Sequence, residues 1–179
     1  MKRIFLSIVI TVLCVGSVYA QNNNALRSGI GICITGSDID ESSDKLLVHP
    51  SLFTEYGHKF SNYFATAVNL HVDMCSFDTE AGGFHGGVSI RGLVKPFYGI
   101  NLLDRLEIGA GVSGEYRGYF HKISNESFMP GFDFPCRIYI LDNGLYELSA
   151  FYEIKTVFYK TGDYKWNYSN VGVMFGIKF

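Results

Sequence analysis

The chain has 179 residues and a formal net charge of −2, which is enough for one domain and lacks the basic excess of nucleic-acid-binding proteins. Aromatic residues make up 16% of the sequence and proline occurs only 4 times, a composition that favours β-strands. We therefore expect an all-β protein without a nucleic-acid partner.

The amino-terminal segment, residues 1–20, has the pattern of a secretory signal peptide. Lys2 and Arg3 precede an apolar run from Ile4 to Val15, and a small-residue cleavage site ends at Ala20. The run is shorter than the roughly 20 apolar residues that a membrane-spanning helix needs. A lipoprotein signal would use Cys14, but the residue before it is bulky. We predict export and cleavage after Ala20.

The remaining chain, residues 21–179, is predicted to be a single domain of about eight strands, because apolar and polar residues alternate in eight segments. An even number of strands is the rule for single-chain bacterial barrels. Asp142-Asn143-Gly144 is a strong tight-hairpin signal. The predicted strands are 26–35, 51–58, 63–75, 84–94, 105–119, 131–141, 145–158 and 166–179.

The two faces of these strands differ in charge. One face is apolar and carries no Asp, Glu, Lys or Arg, as expected where a charge at the bilayer centre costs roughly 2–4 kcal/mol. The other face mixes charges with small residues, which suit a narrow lumen. The charged set is Glu55, Asp73, Glu107, Glu115, Asp133, Glu147 and Glu153 with Arg27, Arg91, Arg117, Arg137, Lys155 and Lys178.

These faces predict an eight-stranded antiparallel up-and-down transmembrane β-barrel. The alternative is a soluble lipocalin-like barrel, which has the same number of strands but an apolar interior. Connections after odd-numbered strands are mostly long and polar, which is typical of external loops, and two after even-numbered strands are tight periplasmic turns. The exception is Lys95 to Asp104, which is long for a periplasmic turn.

The last strand carries a recognisable pattern of its own. Alternate residues are apolar and the chain ends on an aromatic residue: Val171, Val173, Phe175, Ile177 and Phe179. This pattern resembles the closing strand of bacterial outer-membrane barrels. In those proteins it is the assembly signal, which implies the barrel-assembly machinery as a partner.

Three stretches carry a further resemblance: Asp133-Phe134-Pro135, 143–152 and 167–179. In these stretches the chain resembles small outer-membrane β-barrel proteins of Bacteroidetes-type bacteria. These proteins are similar to the membrane domain of outer-membrane protein A. The resemblance implies a location in the outer membrane of a Gram-negative bacterium, in contact with outer-membrane lipid. We expect a monomer.

The lumen charges are nearly balanced, so we expect them to pair across strands, because an unpaired buried charge is costly. The predicted network contains Glu55, Asp73, Arg91, Glu107, Glu115, Arg117, Arg137, Glu147, Glu153 and Lys155. A lumen closed by these ion pairs predicts a structural role, or binding through the loops. The alternative is a narrow channel for small solutes whose ion pairs exchange partners.

The sequence contains candidates for two further kinds of site, a metal site and a catalytic serine. Folding the chain about residues 76–83 brings Asp73 and Cys75 near His85, with His71 one step below, and imidazole and thiolate suit zinc or copper. These residues form no tight spacing motif, so we predict no metal and no cofactor.

The segment 167–170 resembles the serine motif of lipid A deacylase. Ser169 and Asn170 match that motif, but Asn167 stands where the family has its catalytic histidine. A serine needs an adjacent base to become a nucleophile, and asparagine cannot take its proton. We therefore predict that the protein is not an enzyme.

Overall fold

The eight predicted strands form one closed antiparallel barrel in a computed structural model that describes residues 23–36, 46–76, 82–119, 128–158 and 165–179. The signal peptide predicted at 1–20 lies outside these residues. Each strand pairs with its neighbours in sequence, and β1 pairs with β8. The strands are β1 (Asn24–Gly36), β2 (Leu46–Lys59), β3 (Phe64–Ser76), β4 (Gly82–Val94), β5 (Leu106–Tyr119), β6 (Met129–Asp142), β7 (Tyr146–Phe158) and β8 (Lys165–Lys178).

The predicted fold is confirmed, and each strand is long enough to cross a bilayer. All eight contain 13 or 14 residues, whereas a tilted spanning strand needs about 9–11. Among the parts of the chain that are described, no helix is long and apolar enough to span a membrane, a finding that concerns helices alone.

The barrel is apolar outside and polar inside, the reverse of a soluble protein. Ile30 and Ile90 expose 64% and 62% of their surface, whereas Glu55, Asp133 and Lys155 are 0% exposed. Large apolar side chains cover the outer wall from all eight strands. This arrangement rules out the soluble lipocalin-like barrel and matches a wall that faces lipid.

The seam between β1 and β8 closes the barrel. Asn24 and Phe179 exchange two backbone hydrogen bonds of 3.1 and 3.0 Å at one end of the seam. Gly172 lies where a Cβ atom would collide with the carbonyl oxygen of Ile30 and the ring of Phe151. A glycine is therefore needed where the two strands and the lumen side chain meet.

The two ends of the barrel differ in their connections. The turn end carries two short connections, 60–63 and 143–145, and a longer one, 95–105. The opposite end, called the loop end, carries the connections that include 37–45, 77–81, 120–127 and 159–164, which are not among the described residues. At the turn end, the amide oxygen of Asn143 accepts hydrogen bonds from the backbone of Leu145 (3.0 Å) and Tyr146 (2.7 Å). This contact builds the predicted tight hairpin.

The long connection at the turn end contains a 3₁₀ helix, Asn101–Arg105, which accounts for its length. Arg105 therefore ends this helix and does not begin the fifth strand. Leu102 is 77% exposed on it, beside the apolar wall. An apolar side chain in that place suits the membrane interface.

The second strand begins at Leu46, earlier than the predicted start at Ser51. Pro50 pairs with Ile32 of β1, and the pairing of β2 with β3 begins only at Ser51. Residues before Ser51 thus form an edge, where proline removes no ladder hydrogen bond. The proline made this stretch look like loop in the sequence.

Candidate functional site: the barrel lumen

The lumen contains two groups of charged side chains, one towards each end. The arginine cluster lies towards the turn end and the histidine cluster towards the loop end, and Glu153 contacts both. The arginine cluster comprises Arg27, Arg91, Arg137, Glu55, Glu107, Asp133, Tyr139 and Glu147. The histidine cluster comprises His71, His85, Asp73, Glu115, Lys155 and Tyr168.

Glu55 is the centre of the arginine cluster. Its Oε1 accepts hydrogen bonds from Arg27 (3.0 Å) and Arg137 (2.7 Å), and its Oε2 accepts one from Arg91 (3.1 Å). The three arginines come from β1, β6 and β4, and alternation on each strand directs them into the lumen. One fully buried carboxylate therefore ties three strands of the barrel to β2.

Each arginine also reaches further acids on other strands. Arg27 pairs with Glu147, Arg137 with Glu107 (2.9 Å), and Arg91 with both Asp133 and Glu153 (2.5 Å each). The hydroxyl of Tyr139 donates to Glu107 at 3.2 Å. Every guanidinium in the cluster therefore has at least two acidic partners, which offsets the cost of burying its charge.

A small apolar patch fills one side of the lumen at mid-height. The rings of Phe53 and Phe151 meet edge to face with centroids 4.6 Å apart, and Met174 packs with them. Met174 is the residue that interrupts the alternation of the last strand. Its burial at 2% exposure shows that it fills the lumen and does not face lipid.

Four members of the histidine cluster, His71, Asp73, His85 and Glu115, lie on three adjacent strands, β3, β4 and β5. His71 Nε2 and His85 Nε2 lie 2.9 and 3.4 Å from the same oxygen of Glu115, Oε2. The other ring nitrogen of His85, Nδ1, lies 3.5 Å from Asp73 Oδ2, and the hydroxyl of Ser51 donates to Asp73. One carboxylate thus faces two imidazoles, and a second carboxylate supports one of them.

Lys155 lies beside this cluster and connects it to the rest of the lumen. Its Nζ is 2.8 Å from His71 Nδ1, 3.6 Å from Glu115 Oε1 and 3.2 Å from Glu153 Oε1. Tyr168 Oη lies 3.2 Å from His71 Nε2. Lys155 and Tyr168 are both buried, so these contacts exclude bulk water.

The structure places nearly all of the predicted network residues in the lumen. Nine are buried there: Glu55, Asp73, Arg91, Glu107, Glu115, Arg137, Glu147, Glu153 and Lys155. The tenth residue is Arg117, whose side chain is not among those that the structure describes. Lys178 sits at the rim of the turn end, half-buried, and pairs with Asp142.

Sequence reasoning did not join Glu115 to the histidines. The candidate metal ligands in the sequence included Asp73, which the structure places opposite His85, and Cys75, whose side chain is not described. Glu115 lies on β5, and Gly87 of β4 stands in register between it and His71. Knowledge of the register between β3, β4 and β5 would have placed Glu115 beside the histidines.

A cavity at the turn end of the lumen reaches the arginine cluster. Its volume is about 70 Å³, and it is lined in part by Arg27, Lys95, Glu107, Tyr139 and Glu147. Its inner wall is therefore formed by members of the arginine cluster. Small solutes entering from this end meet paired charges.

Ser169, the residue that matches the serine of the deacylase motif, lies on the outer wall. Ser169 Oγ is 3.2 Å from Tyr152 Oη, and Asn167 accepts a hydrogen bond from Thr156 at 2.8 Å. Neither contact supplies the base that a serine nucleophile requires. The geometry around Ser169 offers no support for deacylase chemistry.

Comparisons with known proteins agree with this architecture. Neisserial surface protein A superposes with a TM-score of 0.70 at 9% identity, covering 87% of this chain and 97% of that one. Ail, the attachment invasion locus protein of Yersinia pestis, superposes at 0.51 with 11% identity over 88% and 99%. Its complex with the heparin analogue sucrose octasulfate gives 0.50, with 12% identity over 87% and 99%.

The chain has the fold of a small outer-membrane β-barrel. No protein-family model and no curated protein matches the sequence, so the likeness lies in the fold alone. Ion pairs are buried inside the barrel, and an eight-stranded barrel has an interior just wide enough for its own side chains.

Proposed function

We propose that the protein is an integral outer-membrane barrel of a Gram-negative bacterium, with a structural role or a binding role carried by its loops, and with a lumen closed by the arginine cluster. The observation that carries this proposal is Glu55, which is fully buried and bridges Arg27, Arg91 and Arg137. A group so placed fills the centre of the lumen. It also links strands that are not neighbours.

The partners follow from the outer wall and the last strand. Val171, Val173, Phe175 and Ile177 face outward, as an assembly signal read by the barrel-assembly machinery would require. Outer-membrane lipid covers the remaining wall, and the barrel acts as a monomer without catalytic activity. A binding role is in keeping with the fold shared with Ail, the attachment invasion locus protein of Yersinia pestis. The Bacteroidetes-type affiliation rests on the sequence resemblance.

Membrane residence and closure are tested together on protein extracted from membranes and refolded into lipid vesicles. We expect the protein to need detergent for solubility, to change gel mobility on boiling, and to release no entrapped sugar from the vesicles. Protein that stays soluble without detergent and shows the same mobility before and after boiling would contradict the barrel proposal. Sugar release by the folded barrel would contradict closure.

A narrow channel is the second candidate, and one observation favours it. Asn69 and Ser89 face each other across β3 and β4, Ser113 follows on β5, and their buried side chains make no hydrogen bond within the described chain. Such groups are normally satisfied by water. A hydrated track at this height would let small ions approach the arginine cluster. Rapid ion flux through the wild-type barrel would put this candidate first.

A further inference from the structure

We propose that His71, His85 and Glu115 form a binding site for a divalent transition-metal ion of the zinc type, inside the loop-end half of the lumen. The three side chains are 0–2% exposed, and their ligand atoms all lie within 4.8 Å of one another. This site goes beyond the closed-barrel role and does not depend on it. It also departs from the expectation of no metal, because Glu115 completes the set.

Two of the three distances between the ligand atoms fit a tetrahedral ion. Zinc bonds of about 2.0–2.2 Å to nitrogen and oxygen place neighbouring ligand atoms roughly 3.3 Å apart. Glu115 Oε2 lies 2.9 Å from His71 Nε2 and 3.4 Å from His85 Nε2, so one distance is slightly shorter and the other slightly longer than that separation. Two imidazoles and one carboxylate are also the donors that zinc and similar ions prefer.

Asp73 supplies the outer support that metal-binding histidines usually have. It lies 3.5 Å from Nδ1 of His85, on the side of the ring away from Glu115. A carboxylate in that place holds the proton on Nδ1, so that Nε2 is the nitrogen that would coordinate the ion. Asp73 is itself held by the hydroxyl of Ser51. The ring is therefore oriented before any ion arrives.

The oxygens of the cluster have unused capacity to accept. In the part of the chain that is described, both carboxylate oxygens of Glu115 and Oδ2 of Asp73 accept no hydrogen bond of normal geometry, although both side chains are 0% exposed. Gly87 makes room for Glu115, since a Cβ there would overlap its carboxylate. Buried carboxylate oxygens in this condition favour a cation.

Lys155 is the competing cation. Its ammonium lies 2.8 Å from His71 Nδ1 and 3.6 Å from Glu115 Oε1, and it also contacts Glu153 at 3.2 Å. An incoming ion would repel Lys155 towards Glu153, which it already contacts. Among the described side chains of the cluster, Asp73 and Glu115 carry one more negative charge than Lys155 carries positive, which favours a further cation. Replacing Lys155 by methionine should therefore tighten metal binding.

The test uses the full protein purified from membranes in detergent without a polyhistidine tag, with Zn²⁺ as the probe. We expect one Zn²⁺ per chain by titration calorimetry, a rise in melting temperature, and nitrogen and oxygen ligands by X-ray absorption. His85→Gln and Glu115→Gln should abolish this binding. Asp73→Asn should weaken it by about 10–100-fold, as outer-support residues do. Lys155→Met should strengthen it.

His58 provides a matched control, because it contacts Asn24 at the turn end, away from the cluster. His58→Gln should leave zinc binding unchanged. The boiled and unboiled mobilities of each variant show that it is folded. Zinc binding that survives in folded His85→Gln, that falls equally in His58→Gln, or that weakens in Lys155→Met overturns the proposal. Failure to find any stoichiometric zinc in the wild type also overturns it and leaves the closed barrel standing.

Discussion

The two clusters of the lumen differ in how completely their charged groups are paired and hydrogen-bonded. In the arginine cluster, three permanently charged guanidiniums share acids from several strands, and Glu55 contacts all three. Among the described carboxylates of this cluster, one buried oxygen, Oδ1 of Asp133, makes no hydrogen bond, and the other oxygen of that group pairs with Arg91. In the histidine cluster, Lys155 is the one permanent cation among the described side chains, and both oxygens of Glu115 and Oδ2 of Asp73 make no hydrogen bond.

This difference separates two uses of buried charge. A cluster whose members are all paired resists rearrangement, because removing one partner leaves another charge buried and uncompensated. A cluster in which both oxygens of one carboxylate, here Glu115, make no hydrogen bond can take up a cation. We infer that the turn-end half holds the barrel closed and that the loop-end half is the part able to bind.

The largest effect is expected from the centre of the arginine cluster. Glu55→Ala should lower the free energy of unfolding by about 3–5 kcal/mol, because it leaves guanidiniums underpaired in the lumen. Glu115→Ala is the matched change in the histidine cluster and should cost less, since Lys155 keeps Glu153. Urea unfolding in lipid vesicles measures both. Equal losses would contradict the distinction between the clusters.

A pair of tyrosines gives the next comparison. Tyr139→Phe removes a hydroxyl that donates to the carboxylate of Glu107, so the expected loss of unfolding free energy is roughly 1.5–3 kcal/mol. Tyr168→Phe removes a contact with His71, for which roughly 0.5–1.5 kcal/mol is expected. The same urea experiment ranks the two variants. A larger loss of unfolding free energy for Tyr168→Phe than for Tyr139→Phe would contradict the inference that the turn-end half holds the barrel closed.

Gly87 tests the space that Glu115 occupies. Gly87→Ala should cost about 1–3 kcal/mol of unfolding free energy, since its Cβ would overlap the Glu115 carboxylate and lie 2.8 Å from the carbonyl oxygen of Gly114. Gly86→Ala is the neighbouring control, with its nearest contact 3.1 Å away, at the carbonyl oxygen of His71. Thermal unfolding compares them. A stable Gly87→Ala variant would show that the carboxylate does not need that space.

The smallest effect is expected at the rim of the turn end. Lys178 pairs with Asp142 and lies 3.7 Å from Glu147, but it is partly exposed to solvent. Lys178→Ala should change the free energy of unfolding by about 0–1 kcal/mol, as exposed pairs do. A loss as large as that of Glu55→Ala would mean that pairing alone, and not burial, sets the strength of these contacts.

The sequence was sufficient to predict the strands and the face on which each side chain lies. Alternation needs only the period of a strand, so residues such as Glu55 and Ile30 were placed inside and outside without any knowledge of neighbours. The edge position of Pro50 and the 3₁₀ helix at Asn101–Arg105 depend on which strands pair and where, and local patterns do not record this.

The composition of each cluster was harder to predict for the same reason. Contacts such as Glu55 with Arg137 join residues 82 positions apart, and they depend on the stagger of all the strands between them. From the sequence, Tyr168 was assigned no role in the lumen. Its position on the inner face, 2% exposed, makes it part of the histidine cluster instead.

The most direct test of the closed lumen is the ion current through single barrels in a planar bilayer, compared with the variant Arg91→Ala/Arg137→Ala. Removing these two guanidiniums takes away two of the three that contact Glu55 and leaves space between β4 and β6. We predict no steady current for the wild type and a measurable current for the folded variant. A steady wild-type current that the two substitutions do not change would contradict closure by the arginine cluster.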